Sequence, residues 1–281
     1  MGTHAGLSPQ AFRPAAFVAI IAVFLVAACG SSEKGTSRAS ATQTSRTRAP
    51  VRTANAEVAS LLGGIPQQGS ILGDPKAPVT LEYFGDLQCP YCRQFTLDVL
   101  PLVIQRYVRV GKLKIQYRSF ESATADPGIF KAQQTAALAA GLQDKLWHYV
   151  ELFYREAGRE NSGYVTERYL QGLAQQVPGL NLVAWTAARS DPALAHTLIR
   201  DEQTAFLARF RGTPSFLIGR TGGRFWRFDP RSSTRVRPFT TAIEELLRFG
   251  HPVRRGIPSA PGTTGVARPT FRLGERPREY S

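Results

Sequence analysis

The chain is poor in cysteine, histidine and acid, and each shortage excludes something. Three Cys among 281 residues cannot build a disulfide-stapled scaffold. None of the four His lies near a Cys in sequence, so the spaced Cys/His sets of zinc modules are missing. The longest apolar run, Ala15 to Ala28, has 14 residues, short of the ~18 or more that cross a bilayer. There are 21 acidic against 35 basic side chains, a net charge of +14. That excess sits largely at the ends: residues 30–56 and 250–281 carry about +8 of it. No basic stripe is interleaved with stacking aromatics, which argues against nucleic acid as a partner. No internal repeat is found.

What is present at the N-terminus reads as an export signal. Arg13 precedes the apolar run, and Val26-Ala27-Ala28-Cys29 resembles a bacterial lipobox, in which the cysteine thiol receives the lipid. Residues 1–28 are then a signal peptide, with Cys29 the lipidated first residue of the mature chain; the alternative is an ordinary signal cut after Ala28. Residues 29–56, rich in Ser, Thr, Ala and Arg, read as a flexible tether. Residues 250–281, with five prolines and six arginines, read as a disordered basic tail. Both basic flanks suit anionic lipid headgroups. About 190 residues remain between them, enough for one domain, 57–249.

The most informative motif is Cys89-Pro90-Tyr91-Cys92, which follows the strand-like run Val79–Phe84 and opens a helix-like one. With Cys89 at the N-cap and Pro90 at N1, the free N–H groups and the positive helix end face the first sulfur. Such settings lower a thiol pKa from about 8.5 to roughly 3.5–7.5. Cys92, one turn on, shares that helix face and can close a disulfide. A static bridge or half of a zinc site are the bland alternatives. With Cys29 taken by lipid, no structural disulfide other than Cys89–Cys92 is available, and export places the pair where disulfides persist.

Periodicity places the remaining elements. A helix runs from Pro90 to about Val110, with a kink expected near Pro101. Lys112–Phe120 alternates as a half-buried strand. Helical segments follow near 128–141, 144–157, 166–177 and 181–210, then a hairpin of Ser215–Ile218 with Arg224–Phe228, and a last helix near Thr241–Phe249. The stripe Trp147, Val150, Phe153, Tyr154 reads as packing, and His148 and His196 as ordinary surface or core residues.

The block Phe84-Gly85-Asp86-Leu87-Gln88-Cys89-Pro90-Tyr91-Cys92-Arg93-Gln94-Phe95, together with Gly212-Thr213-Pro214-Ser215-Phe216, resembles the DsbA-type thiol:disulfide oxidoreductases over about residues 70–249. The resemblance implies an α/β, thioredoxin-like fold, a central mixed sheet flanked by helices, with a helical insertion at about 126–210. It implies that Thr213-Pro214 is cis, lies beside the active sulfur and shapes a docking edge. Relatives carry a carboxylate six residues before the first cysteine, where this chain has Tyr83. Glu82 is one residue earlier and should point to the opposite face, so either a bulge restores it to the proton-relay role of that carboxylate or the relay is absent. Asp86 reads as a turn or cap residue. Tyr91 stands where strongly oxidising relatives carry His, so a less oxidising disulfide is expected.

The function expected is an exported, lipid-anchored protein-disulfide oxidoreductase acting through its CPYC dithiol on the extracytoplasmic face of the bacterial membrane. Cys89 forms the mixed disulfide, Cys92 resolves it, and Pro90, Tyr91, Thr213 and Pro214 complete the site. No organic cofactor or metal is called for, because the sulfurs carry the two electrons. Partners would be cysteine-containing exported proteins and a membrane or quinone-linked redox partner. A reductase or isomerase using the same residues, a glutaredoxin, and a non-enzymatic binding lipoprotein with a static Cys89–Cys92 bridge are the competing readings.

Overall fold

Two runs rich in β-branched and aromatic residues form the middle of the molecule. In the computed structural model, which describes residues 53–253, β3 (Val79–Gly85) pairs in parallel with β4 (Leu113–Ser119) and antiparallel with β5 (Ser215–Arg220). The described residues all belong to the compact unit Pro50–Ser281; the other unit, Met1–Ala49, lies outside them. Outside them also are the proposed signal, Cys29, the tether up to residue 52 and the tail beyond residue 253.

Two short strands, β1 (Gln67–Gln68) and β2 (Ile71–Leu72), extend the sheet past β4, and β6 (Phe225–Phe228) extends it past β5. The order is β1-β2-β4-β3-β5-β6, with only β3 and β4 parallel. Every residue of β3 is buried, as a central strand covered on both faces requires. Val79, Leu81 and Tyr83 face one side, where Tyr83, Phe95, Phe216 and Phe239 pack with ring centroids 4.9 to 5.7 Å apart. On the other face Phe84 joins Phe120, Ala205, Phe210 and Leu217 in a smaller apolar cluster.

After β3 the chain turns into a helical run: α2 (Pro90–Gln94), a π-helical segment Phe95–Val99, α3 (Leu100–Val103) and a second π-helical segment Ile104–Val108. The sequence predicts a kink near Pro101, and the hydrogen-bond ladder widens in the five residues before α3, where Pro101 occupies the first turn.

The insertion comprises α4 (Pro127–Gly141), α5 (Leu146–Glu156), α6 (Glu167–Gln176), α7 (Leu182–Ala188) and α8 (Pro192–Leu207). Asp126, Thr166, Asn181 and Asp191 cap α4, α6, α7 and α8 by accepting first-turn N–H groups. The single span expected at 181–210 is thus two helices, parted at Ser190-Asp191-Pro192. The last helix, α9 (Val236–Phe249), starts earlier than Thr241 because Pro238 fits its first turn. A helix also begins inside the stretch read as tether: α1 (Ala54–Leu62), capped by Thr53, buries Val58 and Leu62.

Candidate active site

Strand β3 delivers the chain to Gly85, and a turn of Asp86 to Gln88 carries it into α2. Gly85 cannot bear a side chain here, since a Cβ would lie 2.9 Å from the Tyr117 ring. The turn closes with Cys89 N–H donating to Asp86 O at 3.0 Å, and Cys89 then caps α2 with Pro90 at its first position. Cys89 and Cys92 are both free thiols. Their environments differ. The neighbouring Cys92 thiol, against the opposing effect of burial, brings the Cys89 pKa down to about 6. Thr213 and the backbone N–H groups of Cys92 and Tyr91 add to this. Burial pushes Cys92 well above the ordinary thiol range, and the neighbouring Cys89 pushes it further.

The Thr213-Pro214 peptide is cis, and the Thr213 carbonyl accepts from the Cys89 Sγ at 3.2 Å. This loop covers the sulfur more than its helix-terminal place suggests. Cys89 is 4 % exposed and Cys92 fully buried, so the difference between them is one of degree. Thr213 is held in turn, its Oγ1 2.7 Å from Ser122 Oγ. Pro90 and Tyr91 are exposed, Tyr91 at 63 %, and form the outward rim. The structure therefore brings Cys89, Cys92, Thr213 and Pro214 together and leaves Pro90 and Tyr91 facing solvent.

Tyr83 occupies the place beneath the dithiol, as its position in β3 requires. Its hydroxyl lies 3.5 Å from Cys92 O, 3.4 Å from Thr96 Oγ1 and 3.3 Å from Tyr154 OH. Burial, then the nearby Cys92, raises its pKa well above the phenol range. Glu82 is on the opposite face: Arg118 donates Nε to Glu82 Oε2 and Nη2 to Oε1, both at 3.0 Å, and Nη1 to Asp201 at 2.7 Å. The β3–β4 register runs without a bulge, so nothing turns Glu82 back toward the sulfurs.

Sequence reasoning undervalued Asp86. Beyond its turn with Gln88, its fully buried carboxylate accepts from the N–H groups of Ser122, Ala123 and Thr124, from the Thr124 hydroxyl and from Gln133. It fixes the loop that holds Thr213. Ser122 was missed altogether, because its role depends on contacts 36 and 91 residues away. A charged residue between the apolar Phe84 and Leu87, directly before the dithiol, was the available signal for Asp86; Ser122 gave none.

A cysteine pair of unequal acidity at a helix start, faced by a cis-proline loop, defines a dithiol-exchange protein on a thioredoxin-like sheet. A family model described as thioredoxin matches residues 67–222, more than half the chain. The chain belongs to the thioredoxin family, and within it to the DsbA-type protein-disulfide oxidoreductases. It is 24 % identical over 148 residues to a probable disulfide bond formation protein D of Bacillus anthracis, spanning 52 % of this chain and 68 % of that one. It is 29 % identical over 110 residues to disulfide bond formation protein D of Bacillus subtilis, 37 % of this chain and 47 % of the other. Oxidised BdbD from Bacillus subtilis superposes with a TM-score of 0.55 at 18 % identity, covering 66 % of this chain and 97 % of that one. DsbA of Chlamydia trachomatis does so at 0.53 and 16 %, covering 64 % and 93 %. At such identities these two likenesses carry the fold.

Proposed function

We propose that this protein is exported, anchored through a lipidated Cys29, and introduces or exchanges disulfides in cysteine-containing exported proteins through Cys89 and Cys92. The observation that carries the reading is the inequality of the two sulfurs. In the oxidising direction a substrate thiolate attacks the Cys89 sulfur of the Cys89–Cys92 disulfide, and Cys92 leaves and takes up a proton. A second substrate thiolate then attacks the substrate sulfur of the mixed disulfide, and Cys89 leaves with its electron pair. The substrate loses two electrons and two thiol protons; the protein gains the electrons as a dithiol. A sulfur with a pKa of about 6 is a stable leaving group at neutral pH, which favours passing the disulfide on. Thr213 and Pro214 border the attacked sulfur, Pro90 and Tyr91 form the rim the substrate meets, and a membrane or quinone-linked oxidant would restore the disulfide. The reductase reading uses the same residues with the flow reversed, and the isomerase reading uses them with no net flow of electrons.

One experiment covers these claims. Cys92→Ser in the full chain is expected to trap client proteins as mixed disulfides, and Cys89→Ser is not; in the same cells Cys29→Ala is expected to leave the membrane fraction or remain unprocessed. Equal trapping by both thiol variants, or by neither, defeats the exchange mechanism. Cys29→Ala that stays processed and membrane-bound at high salt defeats the anchor.

A further inference from the structure

An open cleft of about 850 Å³ lies between α4 and α8, within the ~300–1,000 Å³ range of ligand-binding clefts. Its walls are apolar: Phe130 and Pro127 on one side, Leu198, Ile199, Phe206 and Leu207 on the other. Three of these spend their side chains on solvent, Ile199 at 53 %, Phe206 at 79 % and Leu207 at 62 %. Large apolar side chains clustered in a concave face mark an interaction surface rather than scattered exposure. The stripe from Ala195 to Leu207 runs ~18 Å along the helix axis, the length of about five residues of extended chain.

Two observations say what fits there. The first is continuity with the dithiol. Glu121 lines the cleft and its neighbour Ser122 holds Thr213, whose carbonyl meets Cys89 Sγ at 3.2 Å. The Glu121 end of the cleft is thus one residue along the chain from the side chain that holds the cis-proline loop. The second is charge. Glu121 and Glu202 sit together at that end, joined by the Glu121 N–H donating to Glu202 Oε2 at 3.3 Å, and neither has a cation within ion-pair distance among the described residues. Burial, then Asp86 and Asp126, raises the Glu121 pKa; burial, with Glu121 and Asp201, raises that of Glu202. Lys131 is the one basic side chain in the lining. In a chain of net charge +14 this is a local acidic end awaiting a cation.

We propose that the α4–α8 cleft is a substrate subsite that takes an extended apolar segment flanking the reactive cysteine of the substrate polypeptide, with a Lys or Arg of that segment against Glu121 and Glu202. The inference rests on the exchange reading and names its substrate class: unfolded chain with apolar and basic residues next to cysteine. Small thiols engage Cys89 alone and gain nothing from the cleft.

The test uses the full oxidised protein and three reductants. These are dithiothreitol, a reduced two-cysteine peptide with Leu, Phe and Arg within five residues of its first cysteine, and a counterpart with Ser at those three positions. The native protein is expected to oxidise the apolar-basic peptide about tenfold faster than the Ser counterpart, as one or two newly buried apolar side chains would give. In Phe206→Ser/Leu207→Ser, whose residues are exposed, that advantage disappears while the dithiothreitol rate holds. In parallel, the apolar-basic peptide with Ser for both Cys, carrying a fluorescent label, is titrated by anisotropy and is expected to bind the native protein and not the double variant. Binding lost in the double variant supports the subsite even if dithiothreitol does not react, an outcome that would sink the exchange reading alone. Equal peptide rates in the native protein, no anisotropy change, or a self-associated protein that becomes monomeric in the double variant overturns the proposal, the last by assigning the face to a second copy.

Discussion

Cys89 and Cys92 are three residues apart and differ because one turn of helix separates the free N–H groups at the start of α2 from the core beneath. The consequence for pH can be worked out. The ordinary value of 9.0 falls to about 6 in the folded Cys89, so this group contributes stability to the reduced protein that is fully present above pH 9 and is lost as pH falls through 6. Cys92 is shifted the other way, and its titration lies above this window. The melting temperature of the reduced protein, measured relative to reduced Cys89→Ser, is therefore expected to rise between pH 6 and 9, and the rate of Cys89 alkylation to show a midpoint near 6. A flat difference across that range, or alkylation with a midpoint near 9, removes the account of its reactivity through Cys92, Thr213 and the backbone donors. Tyr91, being exposed, supplies no charge to the thiolate; the acidity comes from Cys92, Thr213 and backbone donors.

At the scale of elements, the turn after β3 and the loop after β4 are tied together by one side chain. Asp86 is fully buried, and five of the groups donating to its carboxylate come from Ser122, Ala123, Thr124 and Gln133. Asp86→Ala leaves those donors unpaired in a dry site, at about 1–3 kcal/mol for each one that water cannot reach. The variant is expected to lose at least about 3 kcal/mol in denaturant unfolding and to exchange the Ser122–Thr124 amide protons much faster. Because Ser122 holds Thr213, the Cys89 pKa should rise as well. Unchanged exchange at those three amides would show that the loop is fixed by something else. This tie illustrates what the sequence conceals. Val79–Phe84, Lys112–Phe120 and the Cys89–Cys92 block are legible because local period and spacing carry them. So is Thr213-Pro214, once joined to the dithiol. Strands β1 and β2 have two residues each, too few to show alternation, and the first three residues of α1, Ala54–Ala56, show no apolar period that would part them from the tether. Asp86, Ser122 and Tyr154 act through partners that only the fold brings near.

At the scale of the whole molecule, the helical insertion and the sheet are joined on the face away from the dithiol by an ionic latch. Arg118 of β4 bonds Glu82 of β3 and Asp201 of α8, and Asp201 also accepts the Ser119 N–H at 3.0 Å. The latch lies beside the small cluster of Phe84, Phe120, Ala205, Phe210 and Leu217, and so sets where α8 presents Phe206 and Leu207. A buried pair of this kind adds little net stability over an apolar replacement, but removing one partner strands the other. Arg118→Leu leaves the nearly buried Asp201 carboxylate without its ion-pair partner and is expected to cost about 3–5 kcal/mol at neutral pH. The pH dependence identifies the cause. Burial already raises the Asp201 pKa against the lowering effect of Arg118, and without Arg118 it must rise further. A carboxyl whose folded pKa exceeds its unfolded value binds more protons folded than unfolded, so its stability contribution falls as pH climbs from the unfolded value through the folded one. The gap in melting temperature between native protein and Arg118→Leu is therefore expected to narrow as pH drops from 7 toward 4, and Arg118→Leu/Asp201→Asn to recover part of the loss at pH 7. A gap independent of pH would mean that Arg118 matters through its packing over Phe84, 5.9 Å from that ring's centroid, and not through the charges it neutralises.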